Sequence, residues 1–340
     1  MSPYADVTLR TSSTTAHWGS PAFRDELTAW ITGHVGEPTA LEQVKMRPWA
    51  TVWRAETPRG VHYAKQGCAA QAFEAALLAE LNHLAPHHVV PLTAWDADRG
   101  LLMTPDQGPV FNESVGDDID AWCRVVVGGA ELQREVAPQV DRLAATGLTT
   151  LGPCDAPGYV EQYLDRVALL PESDPRAMSA EDRAAVRAHL PVVARWAEQV
   201  AALGLPTTLV HNDLHGNNVF DIGGELRYFD FGDALLMKPL AALLIPINVL
   251  AHRLEAGPDD TRLARVAEAG LEVWSDLAPL SELRAALPMA LQLARLGRAE
   301  SWARCQAPMS DSEVEEWGDS ASYWLASLLL DPPLGHLPGR

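Results

Sequence analysis

Apolar and polar positions first divide the chain into elements. Phe23, Leu27, Trp30 and Ile31 fall on one face at helical spacing. Ser20 and Pro21 before them predict a capped start, and Gly36 a stop. Strand-like runs follow at residues 43–47, 51–56 and 61–66, and Thr57-Pro58-Arg59-Gly60 turns between the last two. Phe73, Leu77, Leu81 and Leu84 predict a second helix. Residues 89–94 and 100–103 are two more expected strands, joined by the polar turn Asp96-Ala97-Asp98-Arg99. Residues 104–120, rich in Pro, Gly and Asp, form a crossover, and the remainder is mostly helical. The pattern predicts an α+β fold with two lobes. A small β-rich lobe covers 1–107, a larger helical lobe covers 108–340, and the boundary falls near Gln107.

One stretch of the large lobe breaks the helical pattern. Leu209 and Val210 end a strand, and His211-Asn212-Asp213-Leu214-His215-Gly216-Asn217 is a loop that presents polar side chains. Asn218-Val219-Phe220 resumes an extended run, Gly223-Gly224 is a hairpin turn, and Leu226-Arg227-Tyr228-Phe229 returns. This ribbon delivers Asp230 back beside Asn218. An Asp, an Asn five positions later and a second Asp in Asp230-Phe231-Gly232 are the parts a phosphoryl-transfer site needs. One carboxylate orients or deprotonates an acceptor hydroxyl, while the Asn and the second Asp hold a metal. The apolar stretch 235–251 contains Lys238, Pro239, Pro246 and Asn248, and is too short and interrupted to span a bilayer. It is expected to be a buried helix behind the loop.

Together the two motifs within 209–240 resemble the catalytic segment of the aminoglycoside phosphotransferase and choline kinase group, small-molecule kinases that share the protein-kinase-like fold. Asn212 stands where protein kinases usually carry Arg, as a small residue does in the antibiotic kinases, and Phe229-Asp230-Phe231-Gly232-Asp233-Ala234 is similar to the group's second motif. The resemblance is weaker over 52–110, where three strands, a helix and two strands match the small lobe of such a fold. It implies ATP (GTP not excluded) and Mg2+ as cofactors, with transfer of the γ-phosphate to a hydroxyl of a small molecule. On that reading Asp213 is the catalytic residue, and Asn218 and Asp230 hold the metal. Lys65 contacts the α- and β-phosphates, and Glu74, rather than Glu80, pairs with it. Met103, Thr104 and Asp106, around Pro105, form the hinge beside the purine. His211 braces the loop. His215, two residues past Asp213, is a candidate contact of the γ-phosphate, with a capped loop histidine as the equal alternative.

Other assignments come from the residues themselves. Tyr63 is two positions before Lys65 and so shares its face of the strand, narrowing the nucleotide pocket. No Gly-x-Gly-x-x-Gly appears; Pro48-Trp49-Ala50-Thr51 occupies that turn, and the Thr51 hydroxyl is a candidate phosphate donor. The chain contains only three lysines, Lys45, Lys65 and Lys238, which makes each worth asking about. For the acceptor, Asp233, Glu313 and Glu316 are candidates beside His215, as are the acidic positions Asp117, Asp118, Asp120, Glu315 and Asp319, with helix-start charges or solvated faces as the alternative for the acidic clusters. Trp302, Trp317 and Trp324 are candidates for pocket walls, with core packing as the alternative.

Charge and composition narrow the partners. The net charge of −19 argues against nucleic acid or an anionic membrane surface and fits a cationic acceptor, though a uniformly acidic surface gives the same count. Cys68, Cys123, Cys154 and Cys305 show neither disulfide nor metal spacing, and residues 1–6 show no signal pattern, so a cytoplasmic protein is expected. The expected activity is that of an aminoglycoside or amino-sugar kinase, an antibiotic-resistance enzyme. The alternatives are a metabolite kinase acting on choline or a biosynthetic intermediate, and a non-catalytic nucleotide-binding protein. A metallophosphoesterase reading of His211, Asp213 and His215 needs further His and Asp clusters, and the other nine histidines do not supply them. Nothing in the residues speaks to oligomeric state.

Overall fold

A computed structural model describes residues 3–114, 116–335 and 337. Val115 of the expected crossover and His336, one of the nine set-aside histidines, lie outside them. Helices α1 (Thr14–Trp18) and α2 (Pro21–Val35) precede strands β1 (Ala40–Arg47), β2 (Ala50–Thr57) and β3 (Gly60–Gly67). Helix α3 (Phe73–Leu84) and strands β4 (Ala94–Asp96) and β5 (Leu101–Pro105) complete the small lobe. The strands form one antiparallel sheet in the order β1-β2-β3-β5-β4.

Strand periodicity gives this sheet two faces. Trp53, Ala55, Ala64, Leu101 and Met103 lie on one and pack against Phe23, Leu27 and Ile31 of α2. Val52, Tyr63, Lys65 and Leu102 lie on the other, toward α3 and the large lobe. The Ser20 hydroxyl caps α2 by accepting from the Phe23 N–H at 3.2 Å. Of the expected strand at 89–94, only Val89 pairs, in a bridge to Tyr228 of the large lobe, before Ala94 opens β4. Pro91 has no N–H to extend the ladder.

The large lobe holds α4 (Phe111–Ser114), α5 (Ile119–Val136), α6 (Val140–Ala144), α7 (Ala156–Val167) and α8 (Ala180–Ala202). Strands β6 (Thr208–Val210), β7 (Val219–Ile222), β8 (Glu225–Tyr228) and β9 (Leu235–Met237) follow, and then α9 (Leu244–Arg253) and α10 (Thr261–Glu272). Helices α11 (Leu280–Gln306), α12 (Asp311–Trp317) and α13 (Ser320–Ala326) complete it. The expected helix at 235–251 begins instead as β9, which pairs antiparallel with β6, and becomes α-helical only at Leu244. Pro239 cannot complete a helical ladder with the residues before it, and a 3-10 turn bridges the two. No helix among the described residues is long and apolar enough to cross a membrane.

Helix α11 runs through the lobe with almost every residue from Ala286 to its end buried, including Arg298, Glu300 and Arg304. Two ties to the N-terminal part of the chain depend on it. Trp49, at the β1–β2 tip, meets Trp302 of α11 and Trp317 of α12 edge-on at 5.1 and 5.4 Å, and those two rings stack. Glu300 Oε1 accepts the Ala5 N–H at 3.0 Å and so fastens the N-terminal segment.

Burial pushes the Glu300 carboxyl up from 4.5 to about 7, against the pull of Arg304. A carboxyl raised on folding contributes stability that is fully present below its unfolded value, and this contribution is lost as pH rises through about 7. Wild-type stability should therefore fall relative to Glu300→Gln across that window, by on the order of 1–3 kcal/mol. Melting temperatures of both proteins at several pH values check this; a pH-independent difference would refute it.

Candidate active site

The β7–β8 hairpin is built by Gly223 and Gly224, whose φ values of 64° and 95° suit a tight two-residue turn that side-chain-bearing residues resist. The hairpin returns the chain so that the Phe229 N–H donates to the Asn218 carbonyl at 3.2 Å, and Asp230 follows directly. Asp230 itself is left-handed, with φ 62°. Such a backbone costs about 1 kcal/mol or more for a residue with a side chain, and it aims the carboxylate across the cleft.

Across the cleft, Lys65 Nζ lies 2.5 Å from Asp230 Oδ1 and 2.6 Å from Glu74 Oε2. Glu74 is in the first turn of α3 and is buried; Glu80 points elsewhere and pairs with Arg142 at 2.6 Å. Burial disfavours the Lys65 charge, but the two carboxylates outweigh it and hold the ammonium protonated far above neutral pH. Burial also works against Asp230, and Lys65 overrules it, so this carboxyl stays below its usual range. Glu74 remains raised by its burial despite Lys65.

Asp213 sits in the loop after β6. Its Oδ1 is 3.1 Å from Arg298 Nη1 and its Oδ2 is 3.3 Å from His215 Nε2. The Asn217 N–H donates to His215 Nδ1 at 3.2 Å, which turns the other ring nitrogen, Nε2, toward Asp213. Burial disfavours an ionised Asp213, but Arg298 and His215 outweigh it and hold the carboxyl well below the usual range. The Asn218 amide donates to the Asp213 carbonyl at 2.9 Å, which fixes the two residues relative to each other.

The loop is braced from behind. His211 Nε2 donates to the Phe229 carbonyl at 2.8 Å, and burial lowers its pKa, so the ring is neutral. Asn212, left-handed at φ 63°, donates to the Asp233 and Gly297 carbonyls at 3.1 and 3.0 Å. A Cβ on Gly297 would come within 2.8 Å of Met237 Sδ and 3.0 Å of Asn212 Oδ1, so glycine lets α11 approach the loop. Arg298, one residue on, donates to the Asn212 carbonyl at 2.7 Å and to Asp233 Oδ2 at 3.0 Å, and stacks on Trp324. No sequence signal marked Arg298. Its helix is buried nearly all round and offers no amphipathic stripe, and no motif surrounds it.

Several expected residues are placed otherwise. Thr51 is buried on the α2 side of the sheet, where its hydroxyl donates to the Lys45 carbonyl at 3.3 Å and accepts from Gln43 at 3.0 Å. It neighbours Val52, so strand alternation turns it away from Lys65. Met103 likewise points its side chain into the α2 core, and its carbonyl accepts from the Thr93 N–H at 2.8 Å. The Asp106 N–H is taken by the Val61 carbonyl at 3.0 Å, so it has no donor left for a purine. Thr104 stands opposite Tyr63 on the cleft face.

Among the acceptor candidates, Asp233 is brought to Asp213 through their shared Arg298, while burial raises its pKa. Glu313 is used in a capping box with Ser310 at the start of α12, and Glu316 is exposed one turn further on. Asp117 pairs with Arg253, Asp120 with Arg265, and Asp118 caps α5. Trp302 and Trp317 belong to the aromatic cluster around Trp49. His211 and His215 form no metal cluster; among the described residues the one such group is His87, His88 and Glu135, at the surface between the α3–β4 connection and α5.

The donor set fits a divalent cation. Asp230 keeps Oδ2 and Asn218 keeps Oδ1 beyond the bonds just described, both oxygens of the kind magnesium takes. Lys65, Asp213, Asn218 and Asp230 thus converge on one cleft, with a fixed cation on one side and an ionised carboxylate on the other.

No family model matches the sequence, and no curated protein matches it. Solved structures do match in three dimensions. An ethanolamine kinase from Plasmodium vivax aligns with a TM-score of 0.59 at 10% identity, covering 84% of this chain and 81% of that one. APH(2")-IIia in complex with GDP and kanamycin aligns at 0.57 and 14% identity, covering 89% and 98%. The amicoumacin kinase hAmiN, in complex with AMP-PNP and Ca2+, aligns at 0.56 and 13%, covering 91% and 95%. The chain therefore has the bilobal, protein-kinase-like fold of the aminoglycoside phosphotransferases and choline kinases.

Proposed function

We propose that this protein is a magnesium-dependent small-molecule kinase that moves the γ-phosphate of ATP, or GTP, to a hydroxyl of a cationic acceptor. The observation that carries the reading is the cleft itself, where Lys65 held by Glu74 faces Asp213, Asn218 and Asp230. The ammonium of Lys65 binds phosphate oxygens. Asn218 and Asp230 would hold magnesium, which neutralises phosphate charge when bound. Asp213, ionised at neutral pH, accepts a hydrogen bond from the acceptor hydroxyl, aims its oxygen and takes its proton as transfer proceeds. Arg298 and His215 keep that carboxylate ionised and oriented until then.

Charge supports the choice of a cationic acceptor. The chain carries −19, and structural relatives are named for ethanolamine or solved with kanamycin, both amines. Within that class, an aminoglycoside or amino-sugar role in resistance and a choline-like metabolic role use the same chemistry. Phosphate transfer from Mg-ATP and Mg-GTP across aminoglycosides, amino sugars, choline and ethanolamine tests the reading. Transfer to one class is the expected result. The proposal fails if no compound accepts phosphate and the protein binds neither nucleotide in the presence of magnesium.

A further inference from the structure

β1 and β2 pair out of step by one residue between Gln43 and Lys45. Val44 is the extra residue of this bulge. In an unbroken ladder Val44 would stand opposite Val52, and Lys45 would point to the α2 face. The bulge moves Lys45 into register with Val52, which is itself in register with Lys65 of β3. Paired residues of neighbouring strands share a face, so Lys45, Val52 and Lys65 form a line across the cleft side of the sheet. Two strand spacings separate the Lys45 and Lys65 backbones by about 10 Å.

The bulge is fastened in place. Thr51 donates its hydroxyl to the Lys45 carbonyl and accepts from Gln43, so it clamps the bulge at both ends. The other two lysines are engaged, Lys65 by Glu74 and Asp230 and Lys238 by the Leu205 carbonyl at 2.6 Å. Lys45 is exposed and, among the described residues, has no ion-pair or hydrogen-bond partner for its ammonium group.

The hairpin tip beyond Lys45, Arg47-Pro48-Trp49-Ala50, lacks the glycines that let a turn offer several backbone N–H groups to phosphate, and Pro48 has no N–H at all. We propose that Lys45 is a second phosphate-binding lysine, which closes on the β- and γ-phosphate oxygens from the β1 side and replaces the missing backbone donors. The inference rests on the kinase reading above.

Calorimetric binding of Mg-ATP and of adenosine to the wild type, Lys45→Met and Lys45→Arg tests it. A charge-assisted bond to phosphate is worth roughly a tenfold or greater change in affinity. Lys45→Met should lose that much for Mg-ATP and nothing for adenosine, and Lys45→Arg should recover most of the loss. Unchanged Mg-ATP affinity in Lys45→Met overturns the proposal, as does an equal loss for both ligands. A wild type that binds neither ligand removes the kinase reading and this proposal with it, whereas a wild type that binds Mg-ATP beside an unaffected variant removes this proposal alone.

Discussion

Asp213→Asn is expected to cut phosphate transfer by roughly 10²–10⁴-fold, the usual worth of a positioned general base. The amide keeps the size of the side chain, so the acceptor still fits, but it cannot take the hydroxyl proton. Arg298 retains Asp233 as a charge partner in the variant, and Asn218 still reaches the main-chain carbonyl of residue 213, so the loop stays in place. Mg-ATP affinity should therefore change little, because Lys65, Asn218 and Asp230 are untouched. The depressed pKa of Asp213 adds a second expectation: wild-type activity should not fade from protonation of this group until the pH is well below the usual carboxylate range. Steady-state kinetics with a competent acceptor decide the point. A variant within a few-fold of wild type would remove Asp213 from catalysis.

Arg298→Met should be damaging in two separable ways. The guanidinium lies 3.1 Å from Asp213 and 3.0 Å from Asp233, so its loss leaves two carboxylates facing each other without the cation they share. Like charges so placed cannot both ionise easily, and the pKa of Asp213 must rise. The acid limb of the rate profile should then move toward neutrality, which a purely structural defect would not produce. Stability should fall too, by about 3–5 kcal/mol, the cost of stripping one partner from a buried ion network. Lys in place of Arg restores charge but not the planar stacking on Trp324, so it should rescue the pH profile better than the melting temperature. An Arg298→Met enzyme whose acid limb stays put would show that Asp213 does not depend on this residue.

Local signals were enough for much of the molecule. Ser20, Pro21 and Gly36 bound α2 where their backbone preferences put them, and Gly223-Gly224 turns the hairpin that carries Asp230 back to Asn218. These features are written within a few residues. Others depend on distant partners. Residues 235–237 read as helix because they are uniformly apolar, yet β6 captures them as a strand. Thr51 looked available for phosphate because the bulge and the strand phase are invisible in the sequence. Arg298 lies far beyond Asp213 in the chain, on a helix whose burial comes from the whole lobe, and only the folded chain joins them. Glu313 was a carboxylate in search of a role, and the Ser310-x-x-Glu313 spacing already contained the answer as a helix cap.

The three indole rings of Trp49, Trp302 and Trp317 bear on how the two lobes move against each other. Ligand exchange in a two-lobed molecule is easiest when the roof hairpin lifts. Here the tip of that hairpin is docked on the last helices of the opposite lobe. Any hinge motion that raises it must first part the rings and wet their faces. On the kinase reading, the speed of nucleotide exchange should then depend on the C-terminal helices that hold Trp302 and Trp317 as well as on the cleft itself.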